Sequence, residues 1–78
     1  MTARKMFEKL NFVYTETQNT IFYKKIISDE ITILIKFDRD EKIFWSETQF
    51  NYSDDVGIYK ISIKEFKAIQ KQIEELGW

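Results

Sequence analysis

The sequence predicts an α+β fold in which an antiparallel meander of four or five strands packs against an N-terminal and a C-terminal helix, in the order α-β-β-β-β-(β)-α. Two observations support this prediction. The last eighteen residues carry the signals of an amphipathic helix, and the segments before them are strand-like and separated by short polar turns. Short turns favour antiparallel neighbours, because parallel strands need long crossover connections. A chain of 78 residues is expected to form one domain, spanning 1–78.

The first predicted element is a short helix over roughly residues 3–10, with Thr2 as its N-terminal cap. Its apolar side consists of Ala3, Met6, Phe7 and Leu10. Arg4 and Lys5 oppose the helix dipole in the first turn, so this helix must depend on packing, and a frayed tail is the alternative. Asn11 is a suitable end, since Asn tolerates the left-handed conformation.

Four segments rich in aromatic and β-branched residues are predicted to be strands. They cover residues 12–17, 21–27, 31–37 and 43 to about 50. The third strand alternates strictly and has one fully apolar face, formed by Ile31, Ile33, Ile35 and Phe37. A short fifth strand is predicted at 58–61, after the loop 51–57, and the alternative there is an extended lead-in to the last helix.

The C-terminal helix is the most clearly marked element. Ser62 and Glu65 have the spacing of a capping box, and Gly77 suits a left-handed C-terminal cap. The predicted buried stripe consists of Ile63, Phe66, Ile69, Ile73 and Leu76. If Phe66 lies in the core, replacing it with alanine is expected to destabilise the domain by about 3–5 kcal/mol. The pattern leaves open whether Trp78, beyond the cap, folds back onto the core.

Composition excludes several classes of function. The chain has no Cys and no His, which removes histidine-dependent nucleophiles, imidazole acid–base catalysis and the usual zinc ligands. Its only two glycines form no nucleotide-binding loop. The longest apolar run, 33–35, is far shorter than the roughly 20 residues of a membrane span, and the N-terminus does not have the pattern of a signal peptide. We expect a non-enzymatic, cytoplasmic protein without a cofactor, and the absence of Cys agrees with that compartment.

Acidic residues are concentrated in the middle of the chain. The net charge is −1, but residues 37–58 contain six acidic and two basic residues. The candidates in this segment are Asp38, Asp40, Asp54 and Asp55. Carboxylates can bind a hard cation, but neither group has the EF-hand spacing, and acidic residues in turns are mostly solvated. An acidic contact surface for a partner protein is the more useful hypothesis.

Apolar and aromatic residues occur on both faces of the predicted sheet, although two helices can cover only one face. The candidate interaction surface contains Phe22, Tyr23, Lys24, Phe44 and Trp45. Strand twist and the long loop could cover the second face, a homodimer could bury it, or a protein partner could bind there. The same aromatic residues could instead stack on single-stranded bases, but the negative net charge argues against nucleic acid. The leading hypothesis is a protein-binding factor with an unidentified protein partner, itself a monomer or a homodimer.

Both ends of the chain resemble small uncharacterised proteins encoded by phages and prophages of low-GC Gram-positive bacteria. The resemblance lies in residues 2–12 and 61–78, and it extends to the middle only through the strand pattern. Asn11 stands where such sequences usually have Gly, and both residues tolerate the same backbone geometry. The resemblance implies a cytoplasmic accessory protein of a mobile element, and it assigns no functional residues.

Overall fold

The computed structural model describes residues 1–78 and contains two helices and one five-stranded antiparallel sheet. The elements are α1 (Ala3–Lys9), β1 (Val13–Glu16), β2 (Thr20–Ile26), β3 (Ile31–Asp38), β4 (Ile43–Phe50), β5 (Val56–Gly57) and α2 (Ile63–Leu76). The strands lie side by side in chain order, so the sheet is a meander. The predicted α+β class and element order are confirmed. No helix is both long enough and apolar enough to cross a membrane.

The fifth strand lies earlier in the chain than predicted. It consists of Val56 and Gly57, whereas residues 58–61 form an irregular lead-in to α2. The side chains of Ser46 and Thr48 in β4 each donate a 3.2 Å hydrogen bond to a carbonyl oxygen of this lead-in. Beyond β5, side-chain hydrogen bonds from β4 hold this segment at the sheet edge in place of a backbone ladder.

The hydrophobic core lies between one face of the sheet and both helices. It consists of Phe7, Phe12, Ile21, Tyr23, Ile33, Ile35, Phe37, Ala68 and Ile69. The predicted apolar face of β3 is confirmed, with three of its four residues buried and Ile31 packed at the margin. At the centre, the rings of Phe7 and Tyr23 stack with their centroids 3.8 Å apart. Large aromatic side chains supply much of the buried apolar area that a chain this short needs.

The N-terminal helix forms as predicted and receives unexpected help from the other end of the chain. The Thr2 hydroxyl accepts a hydrogen bond from Lys5 N, and Asn11 takes the left-handed conformation at φ 71°. The Glu75 carboxylate accepts a 2.9 Å hydrogen bond from Ala3 N, in the first turn of α1. A negative group at this position offsets the unfavourable basic residues of the first turn.

The C-terminal helix has the predicted ends and keeps part of the predicted buried stripe, because Ile69 is in the core and Ile73 and Leu76 pack against it. The capping box of Ser62 and Glu65 is present, and Gly77 is left-handed at φ 76°. The residues that α2 buries are Glu65, Ala68, Ile69 and Gln72. Ile63 and Phe66 are instead 71% and 45% exposed, so the prediction that they belong to the buried stripe is wrong.

Hydrogen bonds from two tyrosine hydroxyls explain why α2 buries the polar residues Glu65 and Gln72. The Tyr59 hydroxyl donates to Glu65 Oε2, and the Tyr23 hydroxyl donates to Gln72 Oε1. Both hydrogen bonds have an oxygen–oxygen distance of 2.5 Å. Polar side chains can be buried when their hydrogen bonds are satisfied, and a pattern of apolar residues alone does not reveal such partners. Trp78 does fold back, because its ring centroid lies 6.3 Å from that of Phe37.

Candidate interaction surface on the open sheet face

Both helices contribute to the core on one side of the sheet, which leaves the other side without a covering helix. We call that side the open face. Because successive strand residues point to opposite faces, its members follow from the core residues and the strand register. They are Val13, Thr15, Thr20, Phe22, Lys24, Ile26, Thr32, Leu34, Lys36, Asp38, Ile43, Trp45, Glu47, Gln49 and Val56. Several of the apolar ones are strongly exposed, and Ile26 reaches 71%.

The centre of the open face is a row of three side chains on neighbouring strands. The register places Phe22 opposite Lys36, and Lys36 opposite Trp45. The Lys36 ammonium nitrogen lies 5.5 Å from the centre of the Phe22 ring and 5.7 Å from that of Trp45. Both distances are within the range of cation–π attraction, so the lysine links two aromatic rings across β3.

The charge of this central lysine is already neutralised within the protein. Lys36 Nζ lies 2.7 Å from Glu47 Oε1, and the two side chains are only 23% and 18% exposed. Burying an unpaired charge is strongly unfavourable. Because Lys36 is already paired, a partner that covers it does not have to supply a counter-charge. The centre of the open face therefore combines two aromatic rings with an ion pair that has no net charge.

The β4–β5 loop covers only one end of the open face. Thr32, whose side chain lies on this face, is buried there, and its hydroxyl donates a 3.2 Å hydrogen bond to Asn51 Oδ1. The central row remains accessible, because a shallow depression of about 250 Å³ borders Phe22 and Lys36. Loop cover, one of the explanations considered from the sequence, thus accounts for a single strand end and not for the whole face.

Two of the four predicted aromatic contact residues are not on the open face. Tyr23 is fully buried beside Phe7, so the prediction that it forms part of an exposed surface is corrected. Phe44 lies on the core side, opposite Phe37, with 5.9 Å between the ring centroids. The cause is strand alternation, since adjacent residues such as Phe22 and Tyr23 cannot share a face. The remaining three residues of the five-residue candidate surface, Phe22, Lys24 and Trp45, do lie on the open face.

The four acidic candidates lie at opposite ends of the sheet. Asp38 and Asp40 are at the β3–β4 turn, whereas Asp54 and Asp55 are in the β4–β5 loop. Between them β4 runs for eight residues, or roughly 25 Å. Asp38 shapes its turn, because its carboxylate accepts hydrogen bonds from the N–H groups of Asp40 and Glu41. The hypothesis of a single acidic surface is therefore corrected, and no group of three or more acidic side chains is arranged to hold a metal ion.

The perturbed ionisable groups serve structural roles outside the open face. Arg39 donates a 2.8 Å hydrogen bond to Glu16, which lowers the pKa of that carboxyl, and it also bonds two carbonyls of the β1–β2 turn. Burial, followed by the hydrogen bond to Glu65, raises the pKa of Tyr59 to about 12. Burial also raises the pKa of Tyr23. These shifts report on turns and packing, and none belongs to a group on the open face.

Sequence reasoning missed two central residues of the surface, Lys36 and Glu47. They lie on different strands, eleven positions apart, and a single-sequence pattern does not show that they meet. The signal that could have found them is the register of the β3–β4 hairpin, in which Asp38 pairs with Ile43. Once that register is fixed, Lys36 and Glu47 become diagonal neighbours on one face.

The open face combines exposed apolar groups, one exposed lysine and an internally neutralised ion pair. Comparisons with known protein families, curated proteins and solved structures found no match for this chain.

Proposed function

We propose that this protein is a non-enzymatic, cytoplasmic, protein-binding accessory factor of a phage or other mobile element, and that it contacts its partner with the open face. The observation that carries the binding function is the exposed apolar face around the neutralised pair of Lys36 and Glu47. A face of this kind on a small domain is typical of an interaction site. The compartment and the link to mobile elements rest on the resemblance of the two chain ends.

The charges of the open face favour a protein partner over a single-stranded nucleic acid. Lys24 is the only basic residue of the face without an ion-pair partner, since Lys36 is bound to Glu47. Nucleic-acid affinity depends largely on neutralising phosphates with several free basic groups. Phe22 and Trp45 alone form a small stacking platform.

The proposal is tested with a substitution on the open face and a matched control on the opposite side. Ile26 on β2 and Ile63 on α2 are both 71% exposed, so Ile26→Asp and Ile63→Asp change charge and apolar area equally. Tagged wild type is used to capture proteins from the native host, and the partner found is purified and titrated. We expect Ile26→Asp to weaken the affinity at least tenfold and Ile63→Asp to leave it unchanged. Equal effects of both variants, or none from Ile26→Asp, would contradict the proposed surface.

A fluorescence titration distinguishes nucleic-acid binding. In a Trp78→Phe variant, Trp45 is the only tryptophan and reports directly on the open face. We expect short oligonucleotides to leave its emission unchanged at low and at moderate salt. Quenching at low salt that disappears at moderate salt would replace the protein-binding proposal with single-strand recognition.

A further inference from the structure

A groove between the two helices is separate from the open face and has its own charge pattern. Its lining consists of Met1, Met6, Lys9, Leu10, Lys64 and Lys67, and we call it the basic groove. Three of these side chains are apolar and three are lysines, with no acidic residue among them. The groove has a volume of about 320 Å³ and opens to solvent.

The three lysines of the basic groove have no counter-charge within the protein. The four ion pairs of the fold involve other cations, namely Arg4, Lys36, Arg39 and Lys71. Lysine stems can lie along an apolar floor while their ammonium groups stay in water. An occupant that matches this groove must therefore present an apolar group together with negative charge.

The chain itself carries a surface with those properties, where the β2–β3 turn meets the β4–β5 loop. Its acidic residues are Asp29, Glu30, Asp54 and Asp55, and we call this region the acidic end. All four are exposed and none is in an ion pair. Asn51 joins the two segments through two hydrogen bonds. Its backbone N–H donates to the Glu30 carbonyl at a distance of 2.8 Å, and its side-chain amide donates to the Asp29 carbonyl at 3.0 Å. Tyr52, in the same loop, is 80% exposed.

We propose that the acidic end of one copy of this chain docks in the basic groove of a second copy. Tyr52 would provide the apolar contact with the methionines and leucine of the groove, and Asp54 and Asp55 would face its lysines. The two surfaces are different, so the contact is heterologous, and it gives either a closed oligomer or a growing chain of copies. The contact does not include the central row of the open face, which is formed by Phe22, Lys36 and Trp45.

The first test measures the mass of the protein in solution as a function of concentration and salt. The monomer has a mass of 9.5 kDa. We expect light scattering or sedimentation at about 20 mM salt to show a mass that rises with protein concentration, and the association to weaken at about 300 mM salt because the contact is electrostatic. A monomer up to about 1 mM protein at low salt would overturn the proposal, whatever else the groove binds.

Charge reversal assigns the association to the two surfaces. We expect Lys64→Glu and Asp54→Lys each to weaken self-association at least tenfold. The matched controls are Lys24→Glu on the open face and Asp40→Lys at the other end of the sheet, which make the same charge changes at exposed positions. Association that persists in Lys64→Glu or in Asp54→Lys would overturn the proposal. Loss of association in Lys24→Glu alone would instead assign it to the open face.

A mixing experiment distinguishes a disrupted docking surface from a loss of folding, because unfolded variants would not associate when they are mixed. The Lys64→Glu chain keeps a native acidic end, and the Asp54→Lys chain keeps a native groove. We therefore expect an equimolar mixture of the two weakened variants to associate more strongly than either variant alone at the same total concentration. In the control, Lys24→Glu is mixed with Asp40→Lys, and these two chains have the same net charges as the first pair. This mixture must associate no more strongly than its two components do alone. Failure of the first mixture to associate would refute docking of the acidic end in the basic groove.

Discussion

Two tyrosines place their hydroxyl groups against polar side chains of α2 that would otherwise be unfavourable in a core. Glu65 is 4% exposed and Gln72 is 5% exposed, yet each accepts a hydrogen bond, from Tyr59 and Tyr23 respectively. Glu65 also accepts from Ser62 N, so its two oxygens serve the helix cap and the core together. The net value of such bonds is modest, but leaving a buried acceptor unpaired is unfavourable by about 1–3 kcal/mol.

This arrangement predicts a loss of stability at high pH through Tyr59. Burial and the hydrogen bond to Glu65 raise the pKa of Tyr59 to about 12, from 10.0 for an ordinary tyrosine. Because the folded protein holds the phenolic proton more tightly than the unfolded chain, the contribution is complete below pH 10 and is lost as the pH rises towards 12. We expect the free energy of unfolding, measured in urea, to fall over this range.

Tyr59→Phe provides the comparison for that experiment. The variant should be less stable than wild type by about 1–2 kcal/mol at pH 7, because Glu65 loses a donor. The difference should shrink between pH 10 and 12, where the wild type loses the same interaction. Some slope will remain in the variant, since the pKa values of Tyr14 and Tyr23 are raised as well. Parallel curves for the two proteins would show that Tyr59 does not couple its ionisation to folding.

At the scale of elements, the orientation of α2 yields a direct test of which face is buried. Ile69 is 1% exposed in the core, whereas Phe66 keeps 45% of its surface in solvent. We expect Ile69→Ala to destabilise the domain by about 2–5 kcal/mol. Phe66→Ala should destabilise it by only about 1 kcal/mol, because much of its ring is already hydrated. Urea unfolding of both variants measures the difference, and a larger effect at Phe66 would restore the face expected from the apolar pattern.

The elements themselves were largely predictable because their signals are local. Capping residues, turn residues and the alternation along β3 act within a few positions, and the helix ends and four strands match them. The buried face of α2 was not predictable in the same way, since Gln72 depends on a tyrosine 49 positions earlier. The same limit applies to the open face, where Lys36 and Glu47 meet only through the hairpin register.

At the scale of the whole molecule, both ends of the chain close the fold over the same sheet face. Helices α1 and α2 are neighbours, and Phe7 from one and Ile69 from the other meet in one core. This leaves one sheet face and the helix–helix groove as separate surfaces, the first with exposed apolar groups and the second lined by three lysines.

The hydrogen bond from Ala3 N to Glu75 Oε2 is the polar link between the two chain ends, and it predicts a stability effect that crosses the molecule. Glu75→Ala removes an acceptor from the first turn of α1, so it should destabilise the domain by about 0.5–2 kcal/mol, as the loss of a helix cap does. Glu74→Ala is the control, because Glu74 is exposed and its pairing with Lys71 at 3.7 Å is a surface contact of small value. Amide hydrogen exchange should locate the effect, with faster exchange in α1 for Glu75→Ala and no change there for Glu74→Ala. Equal exchange in α1 for the two variants would mean that α1 is held by its apolar side chains alone, and that the carboxylate at its N-terminus contributes nothing to closing the fold.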